Sequence, residues 1–132
     1  MIDRARLETY AYTALRIVAG FMFLWHGSAK LLGFPAGMPS PEAFSQIWIG
    51  GVIELACGTL IALGLLTRAA AFLASGTMAV AYIQFHWKGA FGSALLPIVN
   101  QGEMAALYCF VFLYICAHGA GAFSIDRQLR RA

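Results

Sequence analysis

The sequence is poor in charge, and what charge it has is unevenly distributed. Only 11% of the 132 residues are charged, against 61% hydrophobic, and the acids number six. A soluble domain of this length needs more polar surface than that, so the composition excludes an ordinary soluble fold and indicates a membrane protein. Cysteines are few and unpaired. Cys109 and Cys116 lie seven residues apart in one apolar run, about 10.5 Å along a helix axis and beyond disulfide reach. No C-x-x-C is present, which argues against a dithiol mechanism, and each cysteine reads as a small core hydrophobe. A nucleotide-binding fingerprint, a cofactor-attachment motif, internal repeats and low-complexity stretches are likewise absent. The net charge of +3 needs no nucleic acid to explain it.

What is present is a set of long apolar runs. A spanning helix needs about 20 apolar residues, and four segments meet that requirement: about 10–32, 46–66, 69–87 and 103–121. These predict a single all-α domain over residues 1–132, a four-helix transmembrane bundle. Asp3, Glu8 and Arg16, together with the lack of an A-x-A site, argue that the first run is a retained anchor rather than a cleaved leader. Four crossings put both termini on one side, with Arg4, Arg6, Arg16, Arg68, Arg127, Arg130 and Arg131; the other side receives only Lys30 and Lys88. The positive-inside rule then predicts cytoplasmic termini and a multi-pass protein of the bacterial inner membrane.

The first run, RIVAGFMFLWHGSAK, carries Arg16, His26 and Lys30 but no acid. Polar groups inside a bilayer are costly and mark functional candidates by default. Arg16, Gly20, Phe23, Gly27 and Lys30 share an arc of about 80° on a helix, with His26 about 40° beyond, so one face is polar and small. Thr9 is expected to cap this helix and Gly33 to close it. Pro35, Pro39 and Pro41 follow in a loop, and Ser40, Pro41 and Glu42 suit the start of the second helix. On that helix Gly51, Glu54 and Gly58 form a narrow stripe, a carboxylate flanked by glycines at a close helix approach. Thr67 is placed to cap the third helix, and Asn100 to Glu103 to cap the fourth.

Several of these patterns resemble a known family. LRIVAGFMFLWHGSAKLLG with its HG-x-x-K, GGVIELACGTLIALGLLTRAAA with its G-x-x-E-x-x-x-G, NQGE, and the closing GAGAFSIDRQL are similar to the DoxX family of small four-helix membrane proteins, over nearly the whole chain. The resemblance implies a redox-associated role, since the family takes its name from a subunit of a thiosulfate:quinone oxidoreductase. Other members are linked to oxidative-stress complexes or to detoxification of quinones and aromatic compounds. Fold alone does not fix function.

By depth, His26, Lys30, Glu54, His86, Lys88 and Glu103 belong to one leaflet, and Arg16, Arg68, His118 and Asp126 to the other. We expect His26, Lys30, Glu54, His86 and Glu103 to line a polar pocket for a diffusible, non-covalently held quinone. Glu54 and His26 would be its proton-exchanging groups. The competing reading is that Glu54 only pairs with Lys30 or His26 to hold two helices together, and both stay open at this point. A haem or metal site through His26 and His86, with Glu54 and Glu103, ranks below both because no H-x-x-x-H or E-x-x-H pair shares a helix. Arg16, Arg68 and Asp126 are assigned structural roles: Arg16 partnered by Asp126 or by carbonyls of the fourth helix, Arg68 anchored at the headgroups. His118 reads as a packing residue. Expected partners are membrane lipid and a soluble redox protein. A non-enzymatic scaffold for such a protein and a small-solute carrier, which would need to form a homo-oligomer, are the alternatives.

Overall fold

The computed structural model of the chain describes residues 3–131, and among them every regular element is helical. Helix α1 spans Arg4–Leu32, α2 Gln46–Leu63 and α3 Thr67–Ala81, the last running on as a π-helical segment, Tyr82–Trp87. After a 3-10 turn, Gly92–Leu95, come the short α4, Pro97–Asn100, then α5, Glu103–His118, and the short α6, Ile125–Leu129. Helix α1 packs on α2, α2 on α3 and α3 on α5, while α1 meets α5 through aromatic side chains rather than close backbones. One helix among the described residues, α2, is long and apolar enough by itself to cross a bilayer; α5 is apolar but shorter.

The α1/α2 contact is made backbone to backbone. A Cβ added at Gly58 would lie 2.5 Å from the Leu24 nitrogen, one at Gly20 2.6 Å from the Ala62 nitrogen, and one at Gly27 2.5 Å from the Gly51 oxygen. Glycines on both facing stripes are therefore what lets the two helices meet so closely. The α3/α5 seam uses alanines instead, with Ala70, Ala71 and Ala74 buried and the Ser75 hydroxyl donating to the Cys109 carbonyl at 2.8 Å. Large apolar side chains point outward: Phe72 is 69% exposed, Phe110 68% and Leu107 67%. Small residues along the helix seams and many exposed Phe and Leu side chains suit a surface bathed in lipid.

Helix boundaries depart from the sequence expectation where capping decides them. Helix α1 begins at Asp3, whose carboxylate accepts from the Ala5 amide, so Thr9 lies inside the helix and donates to the Ala5 carbonyl. Helix α2 begins at Ser45, which accepts from Trp48 N; Ser40 donates instead to the Leu31 carbonyl. Gly33 and Gly64 close α1 and α2 in the left-handed region, as helix C-termini commonly do. Asn100 accepts from the Gly102 amide, ordering the turn before α5, while Gly102 itself occupies the cap position.

At the end of the molecule that holds the α1 N-terminal half, charged side chains cap helices other than their own. Buried Arg16 donates to the carbonyls of Ile61 at 2.6 Å and Ala62 at 2.8 Å, at the C-terminus of α2, and to that of Phe123. This corrects the expected partners, Asp126 or the fourth helix: the carbonyls in the last turn of α2 lack i+4 amide donors, and the glycine contact brings them within reach of the guanidinium. Asp126 caps α3, its carboxylate accepting from the amides of Leu66 and Thr67 and the Thr67 hydroxyl. Arg68 is not simply a headgroup anchor, because it donates to the carbonyls of Cys116 and Ala117, both at 2.8 Å, at the end of α5. Tyr12 donates to the Gly119 carbonyl and stacks on His118.

Two outcomes follow for stability. Gly58→Ala, which pushes a methyl into backbone, should cost about 3 kcal/mol in equilibrium unfolding from mixed micelles, and an unchanged midpoint would contradict the close approach. Burial pushes the Asp126 carboxyl up, but the hydrogen bonds from Thr67 and Leu66 and the charge of Arg130 outweigh it, leaving the group below its ordinary value. Its contribution is therefore present above pH about 4 and lost as pH falls through the depressed value. Asp126→Ala should cost about 1–2 kcal/mol at neutral pH and flatten the acid limb of a stability–pH profile.

Candidate functional site

The glycine contact that joins α1 and α2 also sets the geometry of the charges beside it. Glu54 lies between Gly51 and Gly58 on the α2 stripe and is 3% exposed. With the helices so close, Lys30 at the far end of the α1 face reaches it, and Nζ stands 2.6 Å from Oε1. A charge-assisted bond of this length uses only one of the two carboxylate oxygens. The other, Oε2, is buried and has no hydrogen-bond partner, which is unusual for so costly a group.

Both residues line a cleft of about 770 Å³ between α1, α2, α3 and α5. His26 and His86 line the same cleft. The structure thus brings together four of the five expected pocket residues. Glu103 is not among them: it is exposed and lines a separate hollow of about 970 Å³ between α1 and α5, because it opens the first turn of α5 on the side turned away from α2. His26 sits at the rim, exposed, with its ring edge-on to Tyr108 at 6.2 Å. His86 is held by the π-helical segment, its Nδ1 3.3 Å from the Asn100 carbonyl. That oxygen can only accept, so the contact places a hydrogen on Nδ1.

Tyr108 is the residue that sequence reasoning missed. It is buried, it lines both hollows, and its hydroxyl, like Glu54 Oε2, is buried without a hydrogen-bond partner. Below it, Phe23 and Phe112 form an aromatic floor, with Phe23 4.7 Å from Phe112 and Tyr108 stacked on Phe112 at 5.4 Å. The one available signal was a tyrosine inside the apolar run AALYCFVF, a polar tip where no interface accounts for it. Glu54 and Tyr108 both line the cleft, and each carries a buried polar atom without a hydrogen-bond partner, an unusual cost in an apolar setting. No group of three or more His, Cys, Asp or Glu side chains close enough to hold a metal ion occurs among the described residues. All three cysteines are free thiols.

Comparison with known proteins agrees with this picture at the level of family. The model of the DoxX family matches residues 11–87, a span that includes α2 whole and the Lys30–Glu54 pair. An uncharacterised protein of Haemophilus influenzae is 43% identical over 131 residues, covering 97% of each chain. An uncharacterised membrane protein of Mycobacterium tuberculosis is 27% identical over 135 residues, covering 89% of this chain and 80% of its own. No solved structure matches.

The ion pair yields a directional outcome. Lys30→Leu leaves a buried carboxylate without its cation and should cost about 3–5 kcal/mol, whereas Lys30→Leu combined with Glu54→Leu should recover most of that loss. Equal destabilisation by the single and double substitutions, read from unfolding in mixed micelles, would show that the pair is not energetically coupled.

Proposed function

The chain belongs to the DoxX family of membrane proteins, and from that premise we propose that it is the quinone-facing component of a redox system. In this reading it is a four-helix transmembrane bundle of the bacterial inner membrane with both termini in the cytoplasm. The outward-facing Phe and Leu side chains support the bundle, and the clustering of Arg4, Arg6, Arg127, Arg130 and Arg131 towards the termini supports the orientation. The cleft then opens in the outer leaflet.

The observation that carries the ligand reading is the pair of unsatisfied buried atoms, Glu54 Oε2 and the Tyr108 hydroxyl, in a cleft whose walls are otherwise largely apolar. A carboxylate kept only to fasten two helices would be expected to use both oxygens, since a buried acceptor without a partner costs about 1–3 kcal/mol. These groups fit the ring oxygens of a quinone. Tyr108 can donate to a carbonyl, and Glu54 Oε2 can accept from a hydroxyl. A bound quinone would supply reversible two-electron chemistry coupled to two protons, with the electrons exchanged with a soluble redox protein. Glu54 and His26 are placed to take or return those protons, His26 at the rim being the one in reach of water. Lys30, 2.6 Å from Oε1, holds the Glu54 carboxylate in position.

Decylubiquinone titrated into full-length protein in phosphatidylethanolamine/phosphatidylglycerol nanodiscs should bind saturably at one site per chain. Glu54→Gln, which preserves shape, should weaken binding about tenfold or more through loss of a charge-assisted hydrogen bond while the protein remains folded. Absence of saturable binding, with a soluble partner protein still retained, would contradict the quinone site and leave a scaffold.

A further inference from the structure

We propose that the ligand reaches Glu54 sideways from the bilayer, between α2 and α3, and that Gly50 and Gly76 set the width of what can pass. This rests on the ligand-site reading above. Its starting point is an imbalance among the helical glycines. Gly20, Gly27, Gly51 and Gly58 each have a neighbouring helix within 3.3 Å of where a Cβ would sit, so packing accounts for them. Gly50 and Gly76 have nothing within 4 Å of that position, and their backbones lie within regular helix. Neither a close approach nor a left-handed turn requires a glycine there. Glycine is also the poorest helix former after proline, so local propensity does not favour it either. What the two positions share is the cleft: Gly50 lines it from α2 and Gly76 from α3.

The surroundings of these two glycines give the opening its direction. Around Gly76 the wall is apolar and exposed, with Phe72, Leu73 and Val80 all turned outward. At the loop end of the cleft, Gln46 at the start of α2 donates to Gln84 of the π-helical segment, a polar crossbar between the two walls. The lateral opening, by contrast, is flanked by Phe72, Leu73 and Val80. At the deep end stand Glu54 Oε2 and the Tyr108 hydroxyl, buried and unpartnered. A mouth flanked by apolar side chains, with the Thr77 hydroxyl already donating to the Leu73 carbonyl, and an interior holding Glu54 and Tyr108 favour a lipid-soluble ring compound carrying hydroxyl or carbonyl oxygens. A charged, water-soluble metabolite would find no favourable path. Gly50 and Gly76 are thus size-determining residues, and neither touches the ligand's oxygens.

The test uses the full chain in nanodiscs with decylubiquinone as probe, comparing the wild type with Gly50→Leu, Gly76→Leu, Gly76→Ala and Glu54→Gln. Ala69→Leu adds a similar bulk on an exposed position of α3 outside the cleft and serves as control. The two leucine variants should weaken binding at least tenfold with a thermal midpoint no lower than that of the control, since each fills open space. Gly76→Ala should bind within about twofold of wild type and Ala69→Leu should be unchanged. Leucine variants that bind like wild type, while Glu54→Gln still loses the probe, would overturn the lateral route and leave the ligand site standing. A midpoint that falls well below the control's would show that the positions are not open and would overturn it equally. Failure of the wild type to bind the probe would remove both.

Discussion

The close approach of α1 to α2 is the constraint on which the rest of this structure depends. In a lipid environment there is no hydrophobic gain from pressing two apolar helices together, so association relies on packing and on hydrogen bonds. Gly20 and Gly27 on one helix and Gly51 and Gly58 on the other remove every side chain that would hold the backbones apart. The consequence is electrostatic as much as steric. Lys30 and Glu54 meet at 2.6 Å because the helices carrying them can come so near, and the same proximity buries the carboxylate, whose second oxygen has no hydrogen-bond partner.

The two ends of the molecule are built differently. Towards the termini, Arg16 caps α2, Asp126 caps α3 and Arg68 caps α5, so the orphan groups at helix ends are satisfied by side chains from elsewhere in the chain. That cross-capping ties α1, α2, α3 and α5 to one another and to the segment that follows α5. At the opposite end the connections are turns and short helices, and α3 loosens into a π-helical segment carrying His86. Departures from regular helix of this kind are frequent at functional sites. A well-tied half supporting a more open half is the arrangement expected of a rigid scaffold that positions a binding cleft.

Much of the helical arrangement was legible because glycine and charge are scarce and therefore conspicuous in apolar sequence. The stripe Gly51, Glu54, Gly58 and the face Arg16, Gly20, Gly27, Lys30 can be matched by periodicity alone, and one of the partners expected for Glu54 was Lys30. Other features depended on geometry that no period encodes. Arg16 could not be assigned to the end of α2, because which carbonyls lie beside it depends on the crossing of the helices. Glu103 shares a depth with Glu54 but faces the other hollow, since depth along a helix says nothing about azimuth on a helix whose faces are all apolar. Tyr108 was hidden by the same uniformity, and the π-helical turn by the weakness of any sequence signal for it. The apolar run expected from residue 46 is where α2 begins, but its cap is Ser45 and not Ser40, five residues earlier, because Ser45 directly precedes the apolar run.

On this reading the cleft beside Glu54 holds a small lipid-soluble molecule. The most direct measurement is native mass spectrometry of the full-length protein, extracted gently from its own membrane and followed by solvent extraction and identification of whatever co-purifies. The account predicts one ring compound bearing hydroxyl or carbonyl oxygens per chain, present in the wild type and absent from Glu54→Gln isolated in the same way. Protein that carries only phospholipid, in equal amounts in both, would contradict it.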